Sequence, residues 1–565
     1  MKTIILCVLS TAVALAQAPR RPFSSDPVTL SVRDYGAVGD GQWVSGASPS
    51  GTDDTAAVQS AINDIALTGG TLVFPYSTGC YITGNLVIHN STNLTIRGEG
   101  AKICWTGTAG SGGNIGFQYT GTTTNLTIEG LEMAGDGIAA DSHAGVYAYS
   151  GGTVSNIKIK NNYIHDVSLG ISINAYMGGS VAGFEVSGNY IANVMGLLPG
   201  TGYGIHHANL PGLISNGSIT NNTIIGAQRH SIYEASGIGV VISRNKIYNH
   251  RIGTPTASNT TPAIECARSQ NVTITSNEIE YWKDGAITTD GGSSLSDNNI
   301  VVTDNVIGTP NPATVISAIV VGNTDPEPSG ENANAIDVLL SGNKINMGGV
   351  GYACVDIYSG LHVTVNGNQC ESSGTTAREW SGYVVRGYQE TSGSAVYTQD
   401  LLFESNNLIA APTSGNAYLF EIASTAAASA IPMTFQSNSF SGFHASFVVD
   451  GGTLTDPNVS VAGEQADGLS GSVLSLPNHA APGDVYTRVS TPPYFARFTA
   501  STRNGYGSTA LPFHHSFSGH NSVIAKCRCG VRGSAFPVDP TKPMTPPRST
   551  RIPSRSPFAY PSRCA

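Results

Sequence analysis

Charge is scarce in this sequence. Asp, Glu, Lys and Arg together make up 12% of its 565 residues, and the net charge is −10. A small negative charge disfavours nucleic acid as a general partner. No run of about 18 apolar residues follows the N-terminus, which excludes a polytopic protein inserted in a membrane. The nine cysteines are too few for a disulfide scaffold in so long a chain. The 67 glycines follow no three-residue period, which excludes collagen. What is present is 40% apolar residues, enough for a core, in a Gly-rich and helix-poor chain. That combination implies many short strands and tight turns.

The first residues read as an export signal. Lys2 precedes an apolar stretch from Ile4 to Leu15, and Ala16-Gln17-Ala18 is a small-x-small cleavage site. The stretch is too short to span a bilayer, so residues 1–18 are expected to be removed and the chain to be secreted, extracellular or periplasmic. Disulfides are permitted there, and Cys354 and Cys370 lie close enough to pair, although spacing does not fix connectivity. The sequons at Asn93, Asn125, Asn216, Asn221, Asn259, Asn271 and Asn458 carry little weight, because Asn-rich turns and Thr-rich strands generate them readily.

A short phrase repeats through the centre: alternating apolar residues, a polar or Gly step, then Asn-x-apolar. Its Asn recurs at 162, 189, 222, 245, 277, 305, 343, 368, 406 and 438, at intervals of 23 to 38 residues. A fixed minimum with variable excess is the pattern of a solenoid whose coils differ only in their loops. Each repeat holds two or three strands of period two, and no amphipathic helix separates them. Each strand must therefore pair with its copy in the next coil, giving an all-β, single-stranded parallel β-helix with like residues stacked about 4.8 Å apart. The Asn column belongs to the turns, where Asn tolerates the αL conformation and hydrogen-bonds its neighbours.

Ahead of the coils stand Asp34-Tyr35-Gly36-Ala37-Val38-Gly39-Asp40-Gly41, then Thr52-Asp53-Asp54-Thr55-Ala56-Ala57-Val58-Gln59-Ser60-Ala61-Ile62, then Gly69-Gly70-Thr71-Leu72-Val73-Phe74-Pro75. In these phrases the sequence resembles the pectate-lyase superfamily, the right-handed parallel β-helices that include rhamnogalacturonase- and epimerase-like proteins. Only Gln42 to Gly51 is an unusual insertion. The resemblance implies a short N-terminal helix capping the open end of the solenoid, so Asp53 and Asp54 are expected to serve that cap rather than catalysis. It also implies a carbohydrate-active protein, among lyases, hydrolases, epimerases and tailspikes. Asn323-Thr324-Asp325 matches one galacturonan-hydrolase motif, but its G-H-G and R-I-K companions are missing, so function rests on the site.

One strand per coil aligns on Ile171, Ile205, Ile232, Ile264, Ile287, Ile319 and Val355, each preceded by a small residue. The next position should face outward: Ser172, His206, Tyr233, Glu265, Thr288, Val320 and Asp356. His206, Tyr233 and Glu265 then occupy three successive coils, roughly 10 Å along the axis. Tyr203, Arg229 and His230 lie just before the strands; Arg268, Lys283, Asp284 and Asp290 lie in turns downstream. The position beyond should point inward and holds His207 and Glu234, which would need to satisfy each other.

Three chemistries fit. Removal of the C5 proton of a uronate, by elimination or epimerisation, needs a base such as His206 or Tyr233 and a cation, Arg229, Arg268 or Lys283. Hydrolysis needs two carboxylates, for which Glu265 with Asp284 or Asp290 serves. A non-catalytic glycan-binding or adhesion solenoid would use Tyr and Trp282 as platforms. Ca²⁺ assists many lyases of the superfamily, but the acids here are too scattered for an oxygen cage, so no cofactor is expected. The patch has more His, Tyr and Arg than paired acids, which favours a lyase-like or epimerase-like enzyme acting on a polysaccharide.

The solenoid is expected to run over 27–455, with its end or a linker over 456–500. Residues 501–565 form a basic, Pro-rich tail that cannot build a core. Cys527-Arg528-Cys529 lacks partners at zinc-site spacing.

Overall fold

Short β-branched strands broken by Asn and Gly leave the chain one way to bury its apolar face, which is to wind. A computed structural model describes residues 28–108, 114–138, 142–148, 152–175, 179–196, 201–209, 213–250, 261–290, 297–311, 317–322, 335–348, 352–372, 380–389, 395–396, 398–410, 417–424, 433–441, 445–450, 459–462, 465–467 and 474–475. The expected export signal, the basic tail, Cys527-Arg528-Cys529 and Asn323-Thr324-Asp325 lie outside these residues.

Each coil contributes three strands to three long parallel sheets of 16, 14 and 15 strands, called here first, second and third. One coil runs Thr153–Lys160, Tyr163–Val167 and Leu169–Asn174, and each strand pairs in parallel with its copy in the next coil. The winding is right-handed, the hand that parallel crossovers strongly favour. Inward positions stack as apolar columns; Ile159, Val186, Ile219, Ile242, Ile274 and Val302 are in register and fully buried.

The turn between the first and second sheets carries the Asn ladder. From Asn189 to Asn438, each Asn Oδ1 accepts the backbone N–H and the side-chain amide of the Asn one coil earlier, and Asn162 Oδ1 accepts the Leu131 N–H. Each Nδ2 also donates to a main-chain carbonyl, as Asn277 does to Ile242 O at 3.0 Å. The residue before the ladder adopts αL, as Asn161 does at φ 55° and Gly188 at φ 65°. A Cβ at Gly188 would fall 2.4 Å from Asn161 Oδ1, so glycine there lets the preceding side chain lie flat.

The single α-helix of the described residues, α1 (Thr55–Thr68), closes the N-terminal end with Val58, Ala61, Ile62 and Ile65 turned inward. Asp53 Oδ1 accepts the Thr55 N–H at 2.9 Å. The buried Asp54 carboxylate instead accepts the N–H groups of Val38 and Gly39, at 2.7 and 3.0 Å. The two acids thus hold the helix and the Gly-rich loop together. Gln59 exchanges hydrogen bonds with both main-chain groups of Val87, capping the edge strand Leu86–His89 of the third sheet.

The inserted segment forms a hairpin, Gln42–Val44 with Ala47–Ser50, laid on the second sheet. Its Trp43 donates to Gly135 O at 2.6 Å, meets Lys102 at 4.0 Å from the ring centre and packs on Cys80 and Cys104, which are disulfide-bonded. Cys354 and Cys370 form a second disulfide.

Candidate active site

The third sheet carries the expected column in the expected register. Ser172, His206, Tyr233, Glu265, Thr288, Val320 and Asp356 are successive partners, one per coil. This face is not a solvated one. His206 is 6% exposed, Thr288 9%, Val320 2% and Asp356 1%.

At its centre six of the predicted residues meet. Tyr203 stacks on His206 and on His230, with ring centres 4.9 and 5.5 Å apart. Tyr233 tilts against all three rings, at 5.0 to 5.5 Å. The Arg229 guanidinium lies 4.9 Å from the Tyr203 ring centre, and its Nε is buried without a hydrogen-bond partner among the described residues. Glu265 reaches His230, Oε2 to Nδ1 at 3.1 Å, and the same Nδ1 lies 3.0 Å from Pro262 O. A nitrogen between two oxygens carries the proton, which fixes the tautomer of a neutral ring.

Both histidines are uncharged. Burial, then the neighbouring His207 and Arg229, push His206 down to about 3. Burial, then His250, holds His230 well below the ordinary histidine range. Imidazoles that stay neutral act here as hydrogen-bonding groups rather than as cations. Ser172, not singled out in the sequence, has its Oγ 3.4 Å from His206 Nδ1. His250 was also missed; it braces Ser231 at 3.2 Å and Thr261 O at 2.7 Å from a position outside any strand, where no periodicity marks it.

Four further predicted residues flank or end neighbouring strands of this sheet. Arg268 follows the strand Ile264–Ala267 in αL, at φ 57°. Lys283 and Asp284 precede the strand Ile287–Asp290, half-buried, and Lys283 forms no hydrogen bond or ion pair with the described residues. The side chain of Asp290 lies outside the described residues. Trp282 cannot be a sugar platform: it is fully buried, and its Nε1 donates to Gly308 O at 2.8 Å. An aromatic residue at that turn fills the core under the following strand. Directly beneath the cluster, His207 and Glu234 point inward as a hydrogen-bonded pair. Among the described residues no three His, Cys, Asp or Glu side chains are grouped to hold a metal ion.

No family model matches the chain, and no curated protein does. Solved structures do. The A-module of the Azotobacter vinelandii mannuronan C-5 epimerase AlgE6 aligns at 17% identity and TM-score 0.41, over 77% of this chain and 99% of that one. The Streptococcus pneumoniae surface protein and adhesin PfbA aligns at 16% and 0.39, over 78% and 98%. The catalytic unit of an α-1,3-glucanase from Streptomyces thermodiastaticus aligns at 13% and 0.35, over 80% and 70%. By the topology of its three parallel sheets and its capping helix, this chain is a right-handed parallel β-helix protein.

Proposed function

We infer that the chain is exported and acts on a polysaccharide, moving the C5 proton of a uronate unit held on the third sheet. The observation that carries this reading is the cluster of Tyr203, His206, His230 and Tyr233 with Arg229 against it. The cluster combines a cation, two neutral imidazoles and two phenols, which include the base and the cation that proton removal beside a carboxylate needs.

In this reading Arg229 and the His206 N–H draw charge from the substrate carboxylate, which acidifies the adjacent C5–H. His206, with its conjugate acid near 3, is too weak a base to take that proton. Tyr233 therefore takes it as the phenolate, its own hydroxyl proton having first passed to solvent, and Glu265 holds His230 in the tautomer that faces the rings. Loss of the C4 oxygen with its bonding pair, after C5 deprotonation, gives an unsaturated sugar; return of a proton to the opposite face gives the epimer.

A panel of uronate and neutral polysaccharides tests this, read by absorbance near 235 nm, by reducing ends and by NMR of the C5 proton. Absorbance or C5 inversion, lost in Tyr233→Phe, is expected. Reducing ends without absorbance would replace this reading with hydrolysis at Glu265. Wild-type activity in both Tyr233→Phe and His206→Ala would remove the site. Export is tested by sequencing the N-terminus of protein recovered from the medium, expected to begin at Pro19.

A further inference from the structure

On the second sheet, lysines pair with glutamates one coil away. Lys102 Nζ lies 2.9 Å from Glu132, and Lys246 Nζ lies 3.6 Å from Glu278. Lys344 breaks the pattern. It lines a cavity of about 310 Å³ together with Glu280, Glu371, Asn346, Gln369 and Gly308. None of the three charged side chains forms an ion pair or hydrogen bond with a described residue, although they share one cavity. The two other lysines named on this sheet are neutralised, whereas the exposed Lys344 and the half-buried Glu280 and Glu371 are not.

A glycine lets one of these carboxylates lie against the sheet. In the outward column Gly308 stands between Glu280 and Asn346, since Ile279, Ile307 and Ile345 are in register beside it. A Cβ at Gly308 would lie 2.1 Å from the carboxyl carbon and from both oxygens of Glu280, so that carboxylate folds over the glycine. Burial, then the nearby Glu278, pushes the Glu280 carboxyl above its ordinary range, and it has no internal donor to offset this. Two carboxylates, two amides and one ammonium offer acceptors and donors in the mixture that hydroxyl groups satisfy. With two acids against one base, the cavity repels an anionic sugar. Each coil advances about 4.8 Å, close to one sugar unit of an extended chain, so Glu280, Gly308, Asn346 and Glu371 follow a glycan lying along the axis.

We propose that this cavity is a second glycan site, separate from the third-sheet cluster, that takes a neutral sugar unit with Glu280 and Glu371 accepting hydroxyls and Lys344 and the amides donating.

The full chain is titrated calorimetrically with cellohexaose, laminarihexaose and xylohexaose, with hexagalacturonate as the charged control. At least one neutral hexasaccharide is expected to bind, and hexagalacturonate is expected not to compete. Gly308→Ala displaces only the end of a flexible side chain, at a position where φ is not positive, so the fold is kept. It is expected to weaken binding at least tenfold, and Glu371→Gln likewise, while His206→Ala leaves it unchanged. No binding by any neutral probe, or wild-type affinity in folded Gly308→Ala and Glu371→Gln, overturns the proposal. Loss of binding in His206→Ala also overturns it, by moving the neutral sugar to the third sheet. Because the readout is neutral-sugar binding, its failure leaves the uronate reading of the third sheet standing.

Discussion

His207 and Glu234 face each other inside the solenoid, Nδ1 to Oε2 at 2.6 Å, with both side chains fully buried and in register on adjacent coils. Phe184 stacks on the imidazole at 4.4 Å, and Ser269 Oγ lies 3.5 Å from the other carboxylate oxygen. Removing one partner leaves a buried polar group without its main contact, which typically costs about 1–3 kcal/mol. Glu234→Ala is therefore expected to lower the urea midpoint sharply, and His207→Leu with Glu234→Met to recover most of the loss. A double variant no more stable than the single would show that the pair is not the source of the effect. The same pair supports the floor under His206 and Tyr233, so Glu234→Ala should also lower activity.

Acid should unfold this protein through its histidines. His206 has a folded value of about 3 against an ordinary 6.5, and His230 is also depressed. A depressed histidine binds its proton more readily in the unfolded chain. Its stabilising contribution is thus complete above about 6.5 and is lost as pH falls from there toward 3, at about 1.4 kcal/mol per unit. Thermal midpoints measured from pH 7 to pH 4 should fall, and His206→Gln should flatten that slope. Parallel slopes for the two proteins would mean that His206 is not buried and neutral as described.

The register of the third sheet was legible in the sequence because an inward position admits only an apolar side chain, and seven of them recur one coil apart. That pattern fixed the column from Ser172 to Asp356 and the inward placement of His207 and Glu234. The Asn ladder was legible because one residue type supplies both acceptor and donor for the axial hydrogen bonds, although the αL bend falls on the residue before it and not on the Asn itself. Burial of the column was not legible, since residues before the strand, Tyr203 and His230, cover it from turns that carry no period. The Cys80–Cys104 bond was hidden as well. Its partners come together only because Ile82 and Cys104 share a register across coils.

The inserted hairpin gives a separate prediction. Trp43 is half-buried over the Cys80–Cys104 disulfide and is held by Gly135 O and Lys102. Thiol–disulfide exchange depends on access of the attacking thiolate. Trp43→Ala should speed reduction of Cys80–Cys104 by dithiothreitol several-fold, while Cys354–Cys370, far along the solenoid, reacts as before. Mass spectrometry of alkylated peptides distinguishes the two. Equal acceleration of both would indicate general loosening instead of lost cover.

The ladder should be most vulnerable at its middle. Asn277 Oδ1 accepts the backbone N–H and the side-chain amide of Asn245, both at 3.0 Å, while its own Nδ2 donates to Ile242 O and to Asn305 Oδ1. Asn277→Ala therefore strands two buried donors and weakens two acceptors, each orphaned group costing about 1–3 kcal/mol. Asn277→Asp keeps the acceptor for Asn245 but gives up the donor side and adds a buried charge. Asn438 lies at the ladder's last described step, where its Oδ1 accepts the backbone N–H and the side-chain amide of Asn406. Its replacement by Ala can strand donors on one coil only, at the periphery of the winding. The expected order of thermal midpoints is wild type, Asn438→Ala, then Asn277→Ala, with hydrogen exchange at the Asn245 amide raised only in the last. A midpoint for Asn277→Ala equal to wild type would mean that the column fills space without holding the coils together.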